Sequence, residues 1–237
     1  MKKIILIIAM AFIAFTSFSQ VQLVDDLHAE VRTVEGSYNR IIVAGGIDVY
    51  LTQSTSEGVA ISASEQKFKD AIKTEIKNNT LTIYFDGERS WGLRNKNLRA
   101  YISFKNIELL EVSGASDIVV AGSITSPNLT MRFSGASDFR GDVQVENLDL
   151  NLSGASDLKV SGNASVLTIN SSGASDIDGF ALNANICKAT ASGASDITIS
   201  VINELTAEAS GSSEIRYRGS PAIKESNKSG SSSIKKG

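Results

Sequence analysis

Six acidic residues occupy the same place in a repeated five-residue motif, and together they could bind a cation. Each ends the motif SGASD, which becomes SGSSE in the sixth copy: Asp117, Asp138, Asp157, Asp176, Asp196 and Glu214. Unit charges about 5 Å apart repel by roughly 1 kcal/mol in water, so stacked carboxylates attract cations, and Ca²⁺ prefers oxygen ligands. We therefore expect weak calcium binding along a column of these acids. Backbone carbonyls or the hydroxyls of the preceding serines would complete the coordination: Ser116, Ser137, Ser156, Ser175 and Ser195.

A purely structural role explains the same motif. Asp and Ser favour chain corners because their side chains hydrogen-bond nearby backbone groups, and Gly tolerates the positive φ that a tight corner needs. An acid next to a buried residue such as Ile118 or Leu158 must in either case point outward, because neighbours in a strand face opposite sides. The motif alone leaves both interpretations open.

The motif returns at a nearly constant interval, which predicts the architecture. Its glycines are spaced 18 to 21 residues apart: Gly114, Gly135, Gly154, Gly173, Gly193, Gly211 and Gly230. A period near 20 is typical of a solenoid, in which each unit buries its apolar face against the next. Apolar residues alternate before each glycine, as at Leu148, Leu150 and Leu152, which predicts strands with one buried face. We predict an all-β, right-handed parallel β-helix with stacked motifs; a β-sandwich is the alternative.

The residue two positions before each glycine changes in a regular way along the chain. The series is Val112, Phe133, Leu152, Ser171, Ala191, Ala209 and Lys228. Large apolar side chains give way to small ones and then to a charge, so we expect the coil to narrow and its last turn to be frayed or to act as a cap. Lysines at an exposed edge also discourage end-to-end pairing of strands.

The chain divides into four segments. We predict a signal peptide at 1–19, a linker at 20–33 and one β-helix domain at 34–237, which comprises a strand and helix part at 34–107 and the repeats at 108–237. In the third segment we predict strands over 40–52, 58–63 and 81–85. One short helix is predicted over 64–76, with Ser64 as its N-cap and Asn78-Asn79 as its stop. The charged stretch 86–97, which contains Trp91, is predicted to be a surface loop.

The first twenty residues indicate export. Two lysines precede an apolar run over 4–15 and a small polar stretch, which is the pattern of a secretory signal peptide cut after Ser19. The run is shorter than the ~20 residues that span a bilayer. We expect a protein of the periplasm, the outer-membrane surface or the medium, with no membrane span after cleavage. Cys187 is the only cysteine, so stability must come from packing, and we expect it to be a small buried residue.

Composition and spacing argue against several functions. The net charge of −3 is spread over both signs, unlike that of a nucleic-acid binder. His28 is the only histidine, which disfavours Ser-His-Asp catalysis and histidine-based metal sites. An acid–base pair needs unequal environments, whereas a regular column makes its carboxylates alike. We predict no catalytic residues and no cofactor. The alternative is a pectate lyase-like enzyme acting on polysaccharide, but its basic candidates Arg132, Arg140 and Lys159 are predicted at unmatched repeat positions.

Binding is the function that we predict, because repeats turn weak contacts into retention. The partner would be a glycan or a cell-envelope protein, and weak homo-oligomers could form through the sheet faces. The outward candidates are Thr130, Arg132, Asp149, Asn151, Thr168, Asn170, Lys188 and Thr190. Trp91 and Tyr84 would add a surface for sugar stacking if they were exposed together.

Three stretches resemble a known family. They are GGIDVYL at 45–51, the strand, helix and strand pattern at 59–85, and FKNIELLEVSGAS at 104–116. The chain resembles the auto-transporter adhesin, head GIN domain family of secreted bacterial proteins, with Asp48 where Asn is usual and Asn106 where Pro is common. The resemblance implies a right-handed β-helix-like domain at the cell envelope. The chain ends in Ser- and Lys-rich repeats rather than in barrel strands, so we expect it to be released or held by a partner.

Overall fold

Parallel strands stacked turn on turn make up most of the protein. The computed structural model describes residues 26, 28–87 and 96–237. They form a β-solenoid of about seven turns with roughly 19 residues each, and 68% of these residues are in strands. The predicted signal peptide and Trp91 lie outside the described residues.

The elements before the repeats are short. They are β1 (Glu30–Arg32), β2 (Arg40–Ala44), β3 (Asp48–Gln53), β4 (Gly58–Ser62), α1 (Gln66–Ala71), β5 (Ile72–Lys77), β6 (Thr80–Phe85), β7 (Arg99–Phe104) and β8 (Leu109–Gly114). The repeats form longer strands that bend around the coil. They are β9 (Asp117–Gly135), β10 (Asp138–Leu152), β11 (Asp157–Ser171), β12 (Asp176–Ala191), β13 (Asp196–Ala209), β14 (Glu214–Gly219), β15 (Ala222–Lys228) and β16 (Ser233–Lys236).

The repeated motifs stack in register, as predicted. Asp117 lies opposite Asp138, Phe139 opposite Leu158, and Asp157 opposite Asp176, all in parallel pairs. The corner itself is bonded between turns, since the amide of Ala194 donates to the carbonyl of Gly173 over 2.8 Å. The solenoid is therefore confirmed, and the β-sandwich alternative is wrong because neighbouring repeats pair in parallel rather than as hairpins.

Each turn has three sides, because the alternation of buried and outward residues breaks at two further corners. In β10 two consecutive residues point away from the core at 141–142 and again at 146–147, and each of these pairs marks a corner. The motif forms the third corner. We call 138–140 and its equivalents the first side, 143–145 the second side and 148–152 the third side. Inward side chains of all three sides fill one continuous core that also includes the residues before the repeats.

Turns before the repeats are not stacked in chain order. β2 lies between β6 and β8, and β3 lies between β7 and β9, all in parallel pairs. The turn over 40–53 is thus inserted between two turns that come later in the chain. β1 and β4 add antiparallel strands at the end of the stack, so ordered structure already begins within the predicted linker at 20–33.

The predicted helix over 64–76 is wrong in its extent. Helix α1 ends at Ala71, and its N-cap is Glu65 rather than Ser64. The following residues form β5, which pairs antiparallel with β6. Asn78 and Asn79 have φ of 50° and 57°, and two such residues make the turn of a tight β-hairpin. The pair that was expected to stop a helix therefore connects two strands.

The series of inward residues before the glycines forms one column. Phe133 lies opposite Leu152, Leu152 opposite Ser171, and Ala191 opposite Ala209. The column ends at Lys228, and every residue of β15 is exposed, which agrees with a polar end to the coil. Cys187 is only 1% exposed, as predicted, and burial raises the pKa of its thiol to about 12.

Candidate functional site

The six repeat acids form an outward column, and a seventh carboxylate extends it. Asp48 lies one residue before the pair Val49–Ile118, and its Oδ1 accepts a hydrogen bond from the amide of Asp117 over 3.4 Å. The sequence analysis missed this member. Its signal was the spacing, because Asp48 follows Gly45 by three residues just as Asp117 follows Gly114.

The two ends of this acid column differ. At one end Arg99 lies opposite Asp48 but pairs with Asp26 at 3.6 Å, and the pKa of Asp48 is raised by partial burial and by the charge of Asp117. At the other end Glu214 bonds Arg216, and the Nζ of Lys235 is 2.6 Å from its Oε1, which lowers the pKa of Glu214 to about 2. In the middle, the pKa of Asp157 is raised by partial burial and by the charges of its neighbours Asp138 and Asp176. Repulsion between neighbouring acids is therefore compensated at the Glu214 end but not in the middle of the column.

Removing the charge in the middle is expected to stabilise the protein. Folding raises the pKa of Asp157, so the protonated carboxyl stabilises the fold at low pH. This contribution is lost as the pH rises through the folded-state pKa. We expect Asp157→Asn to raise the free energy of unfolding at pH 7 by roughly 0.5 kcal/mol, with no gain near about pH 3, in urea titrations. Glu214→Gln is the control and should lower stability at pH 7, because the pKa of Glu214 is depressed. Equal responses of the two variants would contradict the assignment.

The motif serines do not face the acid column. Ser137, Ser156, Ser175 and Ser195 are fully buried, and each hydroxyl donates to the carbonyl three residues earlier, as Ser195 does to Ser192 over 2.9 Å. Ser116 is also buried and accepts a hydrogen bond from the amide of Ile47 over 3.1 Å. Because each serine precedes its acid in the chain and faces the opposite way, the prediction that serine hydroxyls complete a calcium site is wrong.

Calcium binding through carboxylates and backbone carbonyls stays a prediction. The carboxylates lie in a line instead of surrounding a point. Within residues 26, 28–87 and 96–237, no group of three or more His, Cys, Asp and Glu side chains is arranged to hold a metal ion. The buried serines instead support the structural role of the motif, since their hydroxyls bond the carbonyls of the corner.

All eight predicted binding residues lie on the third side, in two adjacent columns. One column is Thr130, Asp149, Thr168 and Lys188, and the other is Arg132, Asn151, Asn170 and Thr190. None of them is buried. We call this surface the ladder face. Its two amides are hydrogen-bonded to each other along the coil axis: the Nδ2 of Asn170 donates to the Oδ1 of Asn151 over 3.1 Å. Arg132 pairs with Glu111 at 3.6 Å.

A groove of about 510 Å³ runs along the edge of the ladder face. One wall is the column from Arg132 to Thr190. The other is formed by the first serines of the motifs, namely Ser134, Ser153, Ser172 and Ser192. These serines are exposed or half-buried, unlike the inward serine three residues later in each motif. The groove therefore presents amides and hydroxyls at the spacing of successive turns.

Two of the three basic candidates for an enzyme site do lie at matching positions. Arg140 is opposite Lys159 on the first side, so the prediction of unmatched positions is wrong for this pair. Each of the two residues follows the acid of its own motif by two positions, so a count from the motif acids aligns them. Arg132 lies on the third side and is separate. Tyr84 is half-buried, and its proposed partner Trp91 lies outside the described residues.

Comparison with known proteins identifies the fold and the family. The family model described as "Putative auto-transporter adhesin, head GIN domain" matches residues 37–221. Among proteins with curated functions, no relative matches the chain. No helix in the described part of the chain is long and apolar enough to cross a membrane.

Solved structures with low sequence identity share the fold. A Bacteroides fragilis protein described as a putative adhesin is 24% identical, with a TM-score of 0.81, and the match covers 88% of this chain and 95% of that one. A putative adhesin from Parabacteroides distasonis is 23% identical, with a TM-score of 0.70 and coverage of 88% and 96%. A protein of the same species described as a putative lipid binding protein is 20% identical, with a TM-score of 0.66 and coverage of 90% and 98%.

The family match extends over most of the chain and includes both the inserted N-terminal turn and the repeats. Its adhesin-like description suggests an extracellular or surface location. The protein is a member of the auto-transporter adhesin, head GIN domain family.

Proposed function

We propose that this protein is an exported, non-catalytic adhesin-like protein that binds an extended glycan along its ladder face. The observation that supports this most is the in-register arrangement of eight polar side chains beside an elongated groove. A polymer of repeating sugars can contact several turns at once, and repeated weak contacts add up to retention.

A glycan fits the ladder face better than an envelope protein does. Protein interfaces are enriched in aromatic residues and have an apolar centre. The eight residues of the ladder face include no aromatic side chain, and the polar groups of the groove beside it are amides, hydroxyls and the ion pair of Arg132 with Glu111. Such groups hydrogen-bond sugar hydroxyls. Asn170 uses one of its two N–H donors on Asn151, which leaves the second for a ligand.

The same surface supports a binding role rather than catalysis. Glycoside hydrolysis uses a pair of carboxylates about 5 to 9 Å apart with different pKa values. Asp149 is the only carboxylate among the eight residues of the ladder face. Shortening of a glycan during a binding experiment would contradict the non-catalytic part of the proposal and favour the alternative of a polysaccharide-acting enzyme.

The ladder face can be tested on a glycan array with the purified chain. We expect the double variant Asn151→Ala/Asn170→Ala to bind the recognised glycan about 10-fold more weakly, because two hydrogen bonds are lost at roughly 0.5–1.5 kcal/mol each. Asn183→Ala is the matched control, because it removes an exposed, hydrogen-bonded side-chain amide that lies on the second side, outside the ladder face. Absence of glycan binding by the natural protein, or equal losses in both variants, would contradict the proposal.

A further inference from the structure

A second groove, of about 550 Å³, lies on the first side of the coil, away from the ladder face. Gly141, Val160 and Ser161 contribute to its lining. A Cβ at Gly141 would lie 2.7 Å from the Cγ2 of Val120, so the glycine lets that valine pack directly on the backbone. The groove therefore combines an apolar surface with a single hydroxyl, and it is open to solvent along one side.

Three cationic side chains line this groove. They are Arg140, Lys159 and Arg218, and the only carboxylate in the lining belongs to Asp178. Asp178 pairs with Lys159 at 3.6 Å. Among the residues that the structure describes, neither arginine has an ion pair of its own within 4.0 Å. We call this surface the cationic groove.

Arg218 is fixed in place by an aromatic ring. Its guanidinium carbon lies 3.9 Å from the centroid of Phe180, which also lines the groove. Stacking of this kind orients the planar guanidinium and leaves its N–H groups available at the edge. A positioned guanidinium loses less freedom on binding an anion than a mobile one does.

No carboxylate of the acid column lines the groove. Asp138 and Asp157 precede Arg140 and Lys159 by two residues on the same outward face, so the bases stand between the acids and the groove. The nearby Asp142 does not line the groove. Its carboxylate accepts hydrogen bonds from Ser161 and Gln144.

We propose that the cationic groove binds an acidic sugar residue of a polysaccharide, such as a uronate. Arg218, held by Phe180, would bind the carboxylate of one sugar residue, because the guanidinium fork matches its two oxygens, and Arg140, four turns away along the coil, would bind that of another residue of the same polymer. The apolar face of the sugar ring would lie over Val119, which is 40% exposed, and Val120, and the Ser161 oxygen, whose hydroxyl donates to Asp142, would accept a hydrogen bond from a ring hydroxyl. An anionic lipid fits less well, since its chain would stay exposed in a groove that is open along one side.

Calorimetric titration of the full chain with polygalacturonate, in the presence of a chelator, tests this site. We expect binding that weakens as salt rises, and no binding of neutral dextran in the cationic groove. Arg140→Gln/Arg218→Gln should weaken the affinity at least ~10-fold, because hydrogen bonds to charged groups are lost. Arg40→Gln, which removes an exposed cation at the start of β2 outside both grooves, is the matched control and should leave the affinity unchanged.

The proposals for the ladder face and for the cationic groove can be tested independently. Asn151→Ala/Asn170→Ala should keep full affinity for polygalacturonate, so a loss there would move the acidic ligand to the ladder face and overturn the assignment. Absence of polygalacturonate binding, equal affinity of Arg140→Gln/Arg218→Gln and the natural protein, or displacement of the polymer by phosphatidylglycerol vesicles would also overturn it. A protein that binds a neutral glycan but no polygalacturonate would refute the cationic site and leave the proposed function intact.

Discussion

Replacing Gly193 by alanine is expected to lower the free energy of unfolding by about 3–5 kcal/mol, which is at the upper end for a single substitution. Gly193 has φ of +76°, and a Cβ there would lie 2.6 Å from the carbonyl oxygen of Gly173. The same oxygen accepts the amide hydrogen of Ala194, so it cannot move without breaking the bond between turns. Urea denaturation of Gly193→Ala gives the loss directly.

Gly122→Ala separates backbone strain from the clash between turns. Gly122 also has a positive φ, of +83°, but nothing lies within 4 Å of the position that its Cβ would occupy. We expect this control to lose only the penalty of the left-handed conformation, about 1–2 kcal/mol. Equal losses at Gly122 and Gly193 would mean that close stacking is not what requires glycine at the motif corner.

Phe133→Ala is expected to lower the free energy of unfolding by about 3–5 kcal/mol. The side chain is 1% exposed and packs edge to face against Phe139, with ring centroids 5.8 Å apart. Leu152 and Val112 lie directly opposite in the neighbouring turns. Because parallel pairing holds those turns at a constant spacing, the cavity cannot easily collapse.

Val119→Ala is the control for the core prediction. Val119 is in the same strand but is 40% exposed, and we expect a change within about 0.5 kcal/mol. The comparison is made from denaturation midpoints at constant m-value. A loss below about 1 kcal/mol for Phe133→Ala would show that the solenoid relaxes around the missing ring.

The repeat separates structural from binding positions. Within each motif the glycine takes a positive φ and the last serine before the acid faces inward, so both serve the corner. The outward positions of the first and third sides vary from turn to turn, as in Arg140, Lys159 and Asp178. A nearly constant corner therefore carries two different surfaces, one rich in amides and one cationic.

Much of this arrangement was predictable from the residues. The interval of the glycines indicated a solenoid, and the period-two pattern placed residues such as Leu150 inside and Asn151 outside. Counting back from each glycine also placed the ladder face correctly, because β9 to β12 run in unbroken register over 128–133 and its equivalents. The acid column followed from the same argument.

Other features depended on contacts between turns. The sequence analysis did not place Asp48 in the acid column, because its turn is inserted between turns that come later in the chain. The helix was predicted too long, because the same two asparagines can stop a helix or make a hairpin, and pairing with β6 decides between them. The position of Asp48 and the end of the helix both depend on pairing with other turns, so the residues of a single turn do not determine them.

The sequence by itself determined the coil, its buried and outward positions and the place of every motif acid, because these follow from local periodicity and from a fixed distance to the glycine. Only the tertiary structure decided the order of the first turns and the positions of the two grooves. Turns of 18 to 21 residues must share one register, and bulges such as those at 140–142 and 159–161 absorb the difference. The packing of adjacent turns determines where each bulge forms. This packing cannot be read from a linear count of residues.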